Sequence, residues 1–160
     1  MICANIHKKL KGKHKNLLTV IIPRHINRAN EIINRIKKLD LKIHLHNSKN
    51  RMEKDTDIYL VNSFGQTKSF FKICKTVFLG GSMIRHGGQN PLEAARFGCK
   101  ILHGPHIWNF NEIYSLLKKN KVSRKITTSN QLTHEVDKML NTKNKNRNLE
   151  LKIKSLGNKI

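Results

Sequence analysis

Acidic residues are scarce in this chain of 160 residues: ten Asp and Glu stand against 32 Lys and Arg. Few of those carboxylates fall near any candidate ligand edge, so a general base is hard to find and the chemistry points to another domain. Aromatic residues make up only 6%. Nucleic-acid binders more often cluster their basic residues and interleave aromatics to stack on bases. Cysteine is rare and odd in number, with Cys3, Cys74 and Cys99 far apart. That spacing fits neither a disulfide framework nor a zinc site, and suggests a reducing, cytoplasmic setting. No apolar run is long enough to span a bilayer. The start, MICANIHKKLKGKHKN, has neither the apolar core nor the cleavage site of a signal peptide. G-x-S-x-G, H-E-x-x-H, the Walker lysine and G-x-G-x-x-G are also missing, which excludes the commonest hydrolase, metalloprotease and nucleotide fingerprints.

What remains is strongly basic, with a formal charge of +22. Such a field attracts nucleic acid, acidic phospholipid or a phosphorylated small molecule. The excess is spread along the chain with Asn and Ile, so it reads mainly as compositional drift on a solvated surface.

Length allows one domain, with or without a tail. Short β-branched runs alternate with helical patterns. Strands are predicted at Leu17–Ile22, Lys42–His46, Asp57–Val61, Thr76–Leu79, Lys100–Gly104 and, at an edge, Ser123–Thr127. Helices are predicted around residues 3–15, at Asn27–Leu39 with Ile32, Ile33, Ile36 and Leu39 inward, and at Gly65–Lys75. Three more follow at Pro91–Phe97, Asn109–Lys119 and Gln131–Leu140. Residues 141–160 form a basic polar tail, frayed or helical. The alternation predicts an α/β fold, a Rossmann-like parallel sheet flanked by helices, filling residues 1–140.

Ligands of such sheets sit beyond the carboxyl ends of the strands. The unusual residues follow the strands: Pro23-Arg24-His25, Asn62 to Gln66, Gly80-Gly81-Ser82 and Gly104-Pro105-His106. These loops are expected to share a rim. Arg24 can offer a planar fork to a phosphate or carboxylate, although alone it reads equally as a surface arginine. The glycines Gly80 and Gly81 before Ser82 permit a close backbone approach, or merely make a turn.

The stretch HGGQNPLE reads two ways. Asn90 is a good helix cap, Pro91 a good first residue, and Glu93 falls where a capping-box carboxylate would. The same geometry offers free N–H groups to an anion, and a carboxylate to the vicinal hydroxyls of a ribose. The residues alone leave these readings even. His44 and His46 share a strand face, and His103 and His106 flank a turn. No third ligand is spaced to join either pair, so no metal and no cofactor is expected.

Taken in order, IIPRH, NSFGQ, FLGGS, HGGQNPLEAARFGCKILHGPH and NFNEI resemble the C-terminal half of the Kdo transferases. These are the 3-deoxy-D-manno-octulosonic acid transferases of lipopolysaccharide synthesis. The resemblance runs from about Asn5 to Val136. It implies the C-terminal domain of a GT-B glycosyltransferase, which binds the donor CMP-Kdo. It assigns CMP contacts to Pro23 and Arg24, to Phe64, Gly65 and Gln66 in place of the family's M-G-E, and to Asn90, Pro91, Leu92 and Glu93. Gly81 and Ser82 join them as candidates. It places the lipid A precursor and the base on an N-terminal domain expected to be missing here, so this chain holds no catalytic residue and is inactive alone. The family setting is the cytoplasmic face of the inner membrane; this chain by itself would be cytoplasmic or peripheral, with contact to an anionic membrane open. Gln66 stands where the family has Glu, and Gln89 where it has His. Two alternatives stay open: a basic module for nucleic acid or anionic membrane, and a GT-B transferase for another nucleotide sugar.

Overall fold

A computed structural model describes residues 1–141 and Ser155. The chain divides into two compact units, Met1–Thr67 and the part from Lys68 onward. Apart from Asn141 and Ser155, the basic tail expected over 141–160 lies outside the described residues.

The first unit begins with helix α1 (Ile2–Lys11). Strand β1 (Thr19–Ile21), a 3-10 turn (Ile26–Arg28) and helix α2 (Ala29–Lys37) follow, then β2 (Ile43–Leu45) and β3 (Ile58–Leu60). The strands pair in the order β1-β3-β2, all parallel. Thr19 and Ile43 both sit opposite Ile58, and Ile21 and Leu45 both sit opposite Leu60. Helical spacing on α2 buries Ile36 completely and packs Ile32 against the cluster of Ala4, Ile36, Leu41 and Ile58, while Ile33 is half-buried. The first strand is shorter than its apolar run for a local reason. The Leu17 N–H turns back to the His14 carbonyl, so Leu17 donates no ladder bond and Leu18 is left exposed.

The second unit contains α3 (Thr67–Ile73), which begins at the boundary, then β4 (Thr76–Leu79), α4 (Leu92–Arg96) and β5 (Lys100–His103). A 3-10 turn (Trp108–Phe110) leads into α5 (Asn111–Lys119), followed by β6 (Ser123–Lys125) and α6 (Ser129–Asn141). Its strands are parallel in the order β4-β5-β6, with β6 at the edge as predicted. The core joins Phe71, Leu79, Ala94, Ala95, Cys99, Ile101, Tyr114, Leu117 and Val122. Helix α6 has a cap related to the one expected at α4, shared between two threonines. The Gln131 N–H donates to Thr128 Oγ1, and Gln131 Oε1 accepts from the Thr127 N–H.

The α/β architecture and parallel strands agree with the sequence, and the strands form two ladders of three. Among the described residues, no helix is long and apolar enough to cross a membrane.

Candidate functional site

In the first unit, parallel register sends the exits of β1 and β3 to the same edge. Beyond Ile21 come half-buried Pro23 and exposed Arg24. Beyond Leu60, the Val61 N–H donates to the Ile21 carbonyl, extending the pairing by one residue before the loop opens. Phe64 at the loop tip is 79% exposed, an unusual position for an aromatic ring. Gly65 turns the chain with φ +77, and Gln66 is half-buried. Asn62 Oδ1 accepts from the Asn47 N–H, bracing this loop against the exit of β2. The buried Ser63 Oγ has no hydrogen-bond partner among the described residues.

His44 and His46 flank Tyr59, with ring centroids 5.4 and 5.8 Å from it, and His46 Nδ1 lies 3.0 Å from the Tyr59 hydroxyl. The two rings pack on an aromatic neighbour. Among the described residues, no group of His, Cys, Asp and Glu is arranged to hold a metal ion.

A polar cluster at the amino-terminal edge of the same sheet was not foreseen. His7 sits on the buried face of α1, with Nδ1 at 2.9 Å from Thr19 Oγ1 and Nε2 at 3.1 Å from Asp57 Oδ1. Asp57 Oδ2 accepts the Lys42 backbone N–H, and Lys11 Nζ lies 2.8 Å from Oδ1. Burial would raise the Asp57 carboxyl, but Lys11, the Lys42 N–H and His7 together hold it below its usual range. Burial pushes the His7 imidazole down, against the pull of Asp57. The sequence did carry a signal: a histidine in line with Ala4 and Leu10 on an apolar helical stripe.

In the second unit, three loops are stitched together at the carboxyl edge of the sheet. Ser82 is fully buried; its hydroxyl donates to the Leu79 carbonyl and accepts from the Gly104 N–H, both at 2.7 Å. The Ser82 carbonyl accepts from the His106 N–H. Ser82, a candidate ligand contact in the sequence, therefore has its hydroxyl committed to holding the turns after β4 and β5. The two turns are so close that a Cβ on Gly104 would lie 2.2 Å from the Ser82 carbonyl oxygen. Gly81, with φ +72, is half-buried, and a Cβ there would meet only His86 Cδ2, at 4.0 Å.

The next loop leans on the same support. Gly87 and Gly88 have positive φ and are buried. A Cβ on Gly87 would strike the Asn109 side chain at 2.2 Å, and one on Gly88 would lie 3.1 Å from the His106 carbonyl oxygen. The Tyr114 hydroxyl donates to the Gln89 carbonyl at 3.1 Å, and its ring centroid is 4.3 Å from that of buried His103. Burial pushes the Tyr114 phenol well above its ordinary range, which keeps the proton on the donor. His103 Nδ1 in turn sits 2.7 Å from the Gly104 carbonyl oxygen, and burial lowers its affinity for a second proton.

From this platform the chain presents Asn90 to Glu93. Asn90 Oδ1 accepts from the Leu92 N–H at 2.9 Å, Pro91 is buried and Leu92 half-buried. Helix α4 starts at Leu92 and has five residues. The capping box expected for Glu93 is therefore replaced by a turn closed by Asn90 alone. A helix this short, with its first N–H already bonded, provides little field for an anion. The Glu93 carboxylate stands 46% exposed, 3.6 Å from the Lys68 ammonium of α3.

No family model matches the chain. A 3-deoxy-D-manno-octulosonic acid transferase of Haemophilus influenzae is 31% identical over 138 residues, which is 86% of this chain and 32% of that protein. One from Aquifex aeolicus is 24% identical over 136 residues, 85% of this chain and 37% of the relative. The chain is homologous to part of the Kdo transferases. It spans about a third of the length of the curated relatives it matches. The crystal structure of the C-terminal CMP-Kdo binding domain of WaaA from Acinetobacter baumannii superposes with a TM-score of 0.82. It is 21% identical, and the match covers 98% of this chain and 80% of that one. That likeness shows that the chain has the fold of this domain, within a Kdo transferase relationship that the sequence comparisons carry independently.

Proposed function

We propose that this chain is the donor-binding part of a Kdo transferase and binds CMP-Kdo through its cytidine monophosphate moiety. The observation that carries the reading is the platform of Gly81, Gly87, Gly88 and Gln89, which holds the turn Asn90–Glu93 with a half-exposed carboxylate beside it. A carboxylate in that state accepts two hydrogen bonds from vicinal hydroxyls, which is what a ribose offers. Glu93 takes the ribose in this reading. Arg24 is assigned to phosphate, where a guanidinium supplies two parallel donors. Phe64, exposed beside Gly65 and Gln66, is assigned to the base, which an aromatic face can stack upon. Pro23 sets the direction of Arg24. Gln66 supplies a neutral amide where the family has a carboxylate, so that contact is a hydrogen bond without charge.

In the transfer reaction a hydroxyl of the lipid A precursor attacks the anomeric carbon of Kdo. The C–O bond to CMP breaks, and the leaving phosphate gathers charge that Arg24 balances. The acceptor site, the base that takes the hydroxyl proton and the seat at the cytoplasmic face of the inner membrane belong, in this reading, to the remaining length of a Kdo transferase.

Calorimetry with CMP tests the binding claim. Wild type should release heat, while Arg24→Ala and Glu93→Ala should each bind roughly tenfold more weakly. No binding by wild type at millimolar CMP would sink the proposal. The net charge of +22 favours a second reading, a general polyanion binder. That binding would weaken steeply with salt and ignore Glu93→Ala.

A further inference from the structure

Residues 90–93 contain the groups assigned to the donor, yet neither polar side chain among them, Asn90 or Glu93, fixes its own position. Asn90 is exposed and closes only the local turn. Glu93 has a salt-bridge partner on a partly solvated surface, and exposed ion pairs hold a side chain weakly. The two ends of the segment are secured instead. Upstream, Gln89 is held through its carbonyl by the buried Tyr114 hydroxyl, and Gly87 is wedged against Asn109. Downstream, Ala94 and Ala95 are buried in the same core cluster as the Tyr114 ring. One side chain therefore holds the upstream end through its hydroxyl, while its ring belongs to the core cluster that buries the downstream end.

We infer that Tyr114 is a positioning residue for the donor site, setting the height and direction at which Asn90 and Glu93 meet the nucleotide. It touches no ligand. It acts by fixing the Gln89 backbone relative to α4, and Asn109 assists by filling the space that Gly87 leaves. Two features of the sequence then have a reason that the donor contacts do not give. The glycines are required because Asn109 and the His106 carbonyl occupy the places where side chains would go. Gln89 participates through its backbone, so its side chain is free to differ from the family's histidine.

This inference rests on the CMP reading, and its test separates the two. A ribose diol held by Glu93 should make wild type prefer CMP over 2′-deoxyCMP, and that ratio reports the carboxylate's placement. In Tyr114→Phe the ring and its packing remain and only the hydroxyl is lost. The full chain would be titrated with both nucleotides by calorimetry, with melting temperature measured alongside. The expected result is a fall in CMP affinity of about fivefold, with the preference for CMP over 2′-deoxyCMP shrinking towards one. Adding Glu93→Gln should then weaken binding no further than Glu93→Gln alone. Asn109→Ala, an exposed change, should move the ratio the same way by a smaller factor, and serves if Tyr114→Phe fails to fold. Variants that keep the wild-type ratio, whatever their melting temperature, overturn the positioning role and leave the CMP reading standing. Wild type that binds neither nucleotide overturns both.

Discussion

The two units are built alike, three parallel strands with helices, but they concentrate polar chemistry at opposite ends of their strands. The first buries a histidine, a carboxylate and a backbone N–H at the amino-terminal edge, where His7, Thr19, Lys42 and Asp57 meet. The second joins its carboxyl edge through hydroxyls, carbonyls and glycines, with Ser82, Gly104 and Tyr114 as the ties. Buried charge fastens a helix to a sheet and is costly to disturb. Neutral ties at the carboxyl edge shape loops and leave the Glu93 carboxylate partly exposed beside Lys68. The difference separates residues that fasten a helix to the sheet from residues that shape loops.

The largest effect should come from breaking the charged cluster. Asp57→Ala would leave the Lys42 N–H and the His7 ring without their acceptor inside the protein. Urea unfolding should show a loss of about 4 kcal/mol. Hydrogen exchange should locate the loosening in α1 and β3. A loss under about 1 kcal/mol would mean that solvent reaches Asp57 through the half-exposed Lys11, and the contrast between the units would fail.

Next comes the tightest neutral tie. Gly104→Ala places a methyl group against the Ser82 carbonyl, and backbone rather than a flexible side chain must yield. A cost of about 3 kcal/mol is expected in the same unfolding measurement, together with weaker CMP binding, since the turn after β4 must shift. Unaltered stability would show that the two turns separate easily.

Acid should sharpen the comparison further. The His7 imidazole is pushed below its ordinary value of 6.5, so the unfolded chain binds more protons as pH falls. Stability from this group is fully present above 6.5 and declines as pH drops towards the lowered value. The Asp57 carboxyl is held below 3.8, so its share survives to that point and is lost as pH falls further. His103 titrates in the same direction as His7 in the second unit. Hydrogen exchange between pH 7.5 and 5 should show amides of both units loosening, and His7→Gln should flatten the dependence in the first unit alone. A profile unchanged by His7→Gln would remove the histidine from the account.

The strand pattern was legible because buried parallel strands leave short β-branched runs; each run contains a strand, and all but β4 are trimmed at one or both ends. The trimming was not legible, since it depends on bonds such as Leu17 to His14 that no residue preference announces. At the candidate site, the motif HGGQNPLE marked a distinctive loop but suggested a different capping. Asn90 closes a turn, and Glu93 faces Lys68 rather than the helix start. Ser82 follows glycines at a strand exit, and only its burial and hydrogen bonds show that its hydroxyl ties two turns together. Nothing in the helix expected at Asn109–Lys119 singled out Tyr114, because a hydrogen bond to a carbonyl 25 positions away leaves no local trace.

The smallest effects should come from neighbouring glycines in the turn after β4, which separate conformation from space. A Cβ on Gly80 would meet nothing within 4 Å, and its φ lies outside the left-handed region, so Gly80→Ala should change stability by no more than about 0.5 kcal/mol. Gly81 has almost as much room, with His86 Cδ2 at 4.0 Å, but its φ of +72 strains any L side chain. Gly81→Ala should therefore cost about 1 kcal/mol from conformation alone. If the nucleotide also passes close to this backbone, Gly81→Ala will lose CMP affinity beyond what its stability predicts, whereas Gly80→Ala will lose none. Equal affinities for the two variants would restrict Gly81 to turning the chain and move the ligand's closest backbone approach to the Gly87–Gln89 loop.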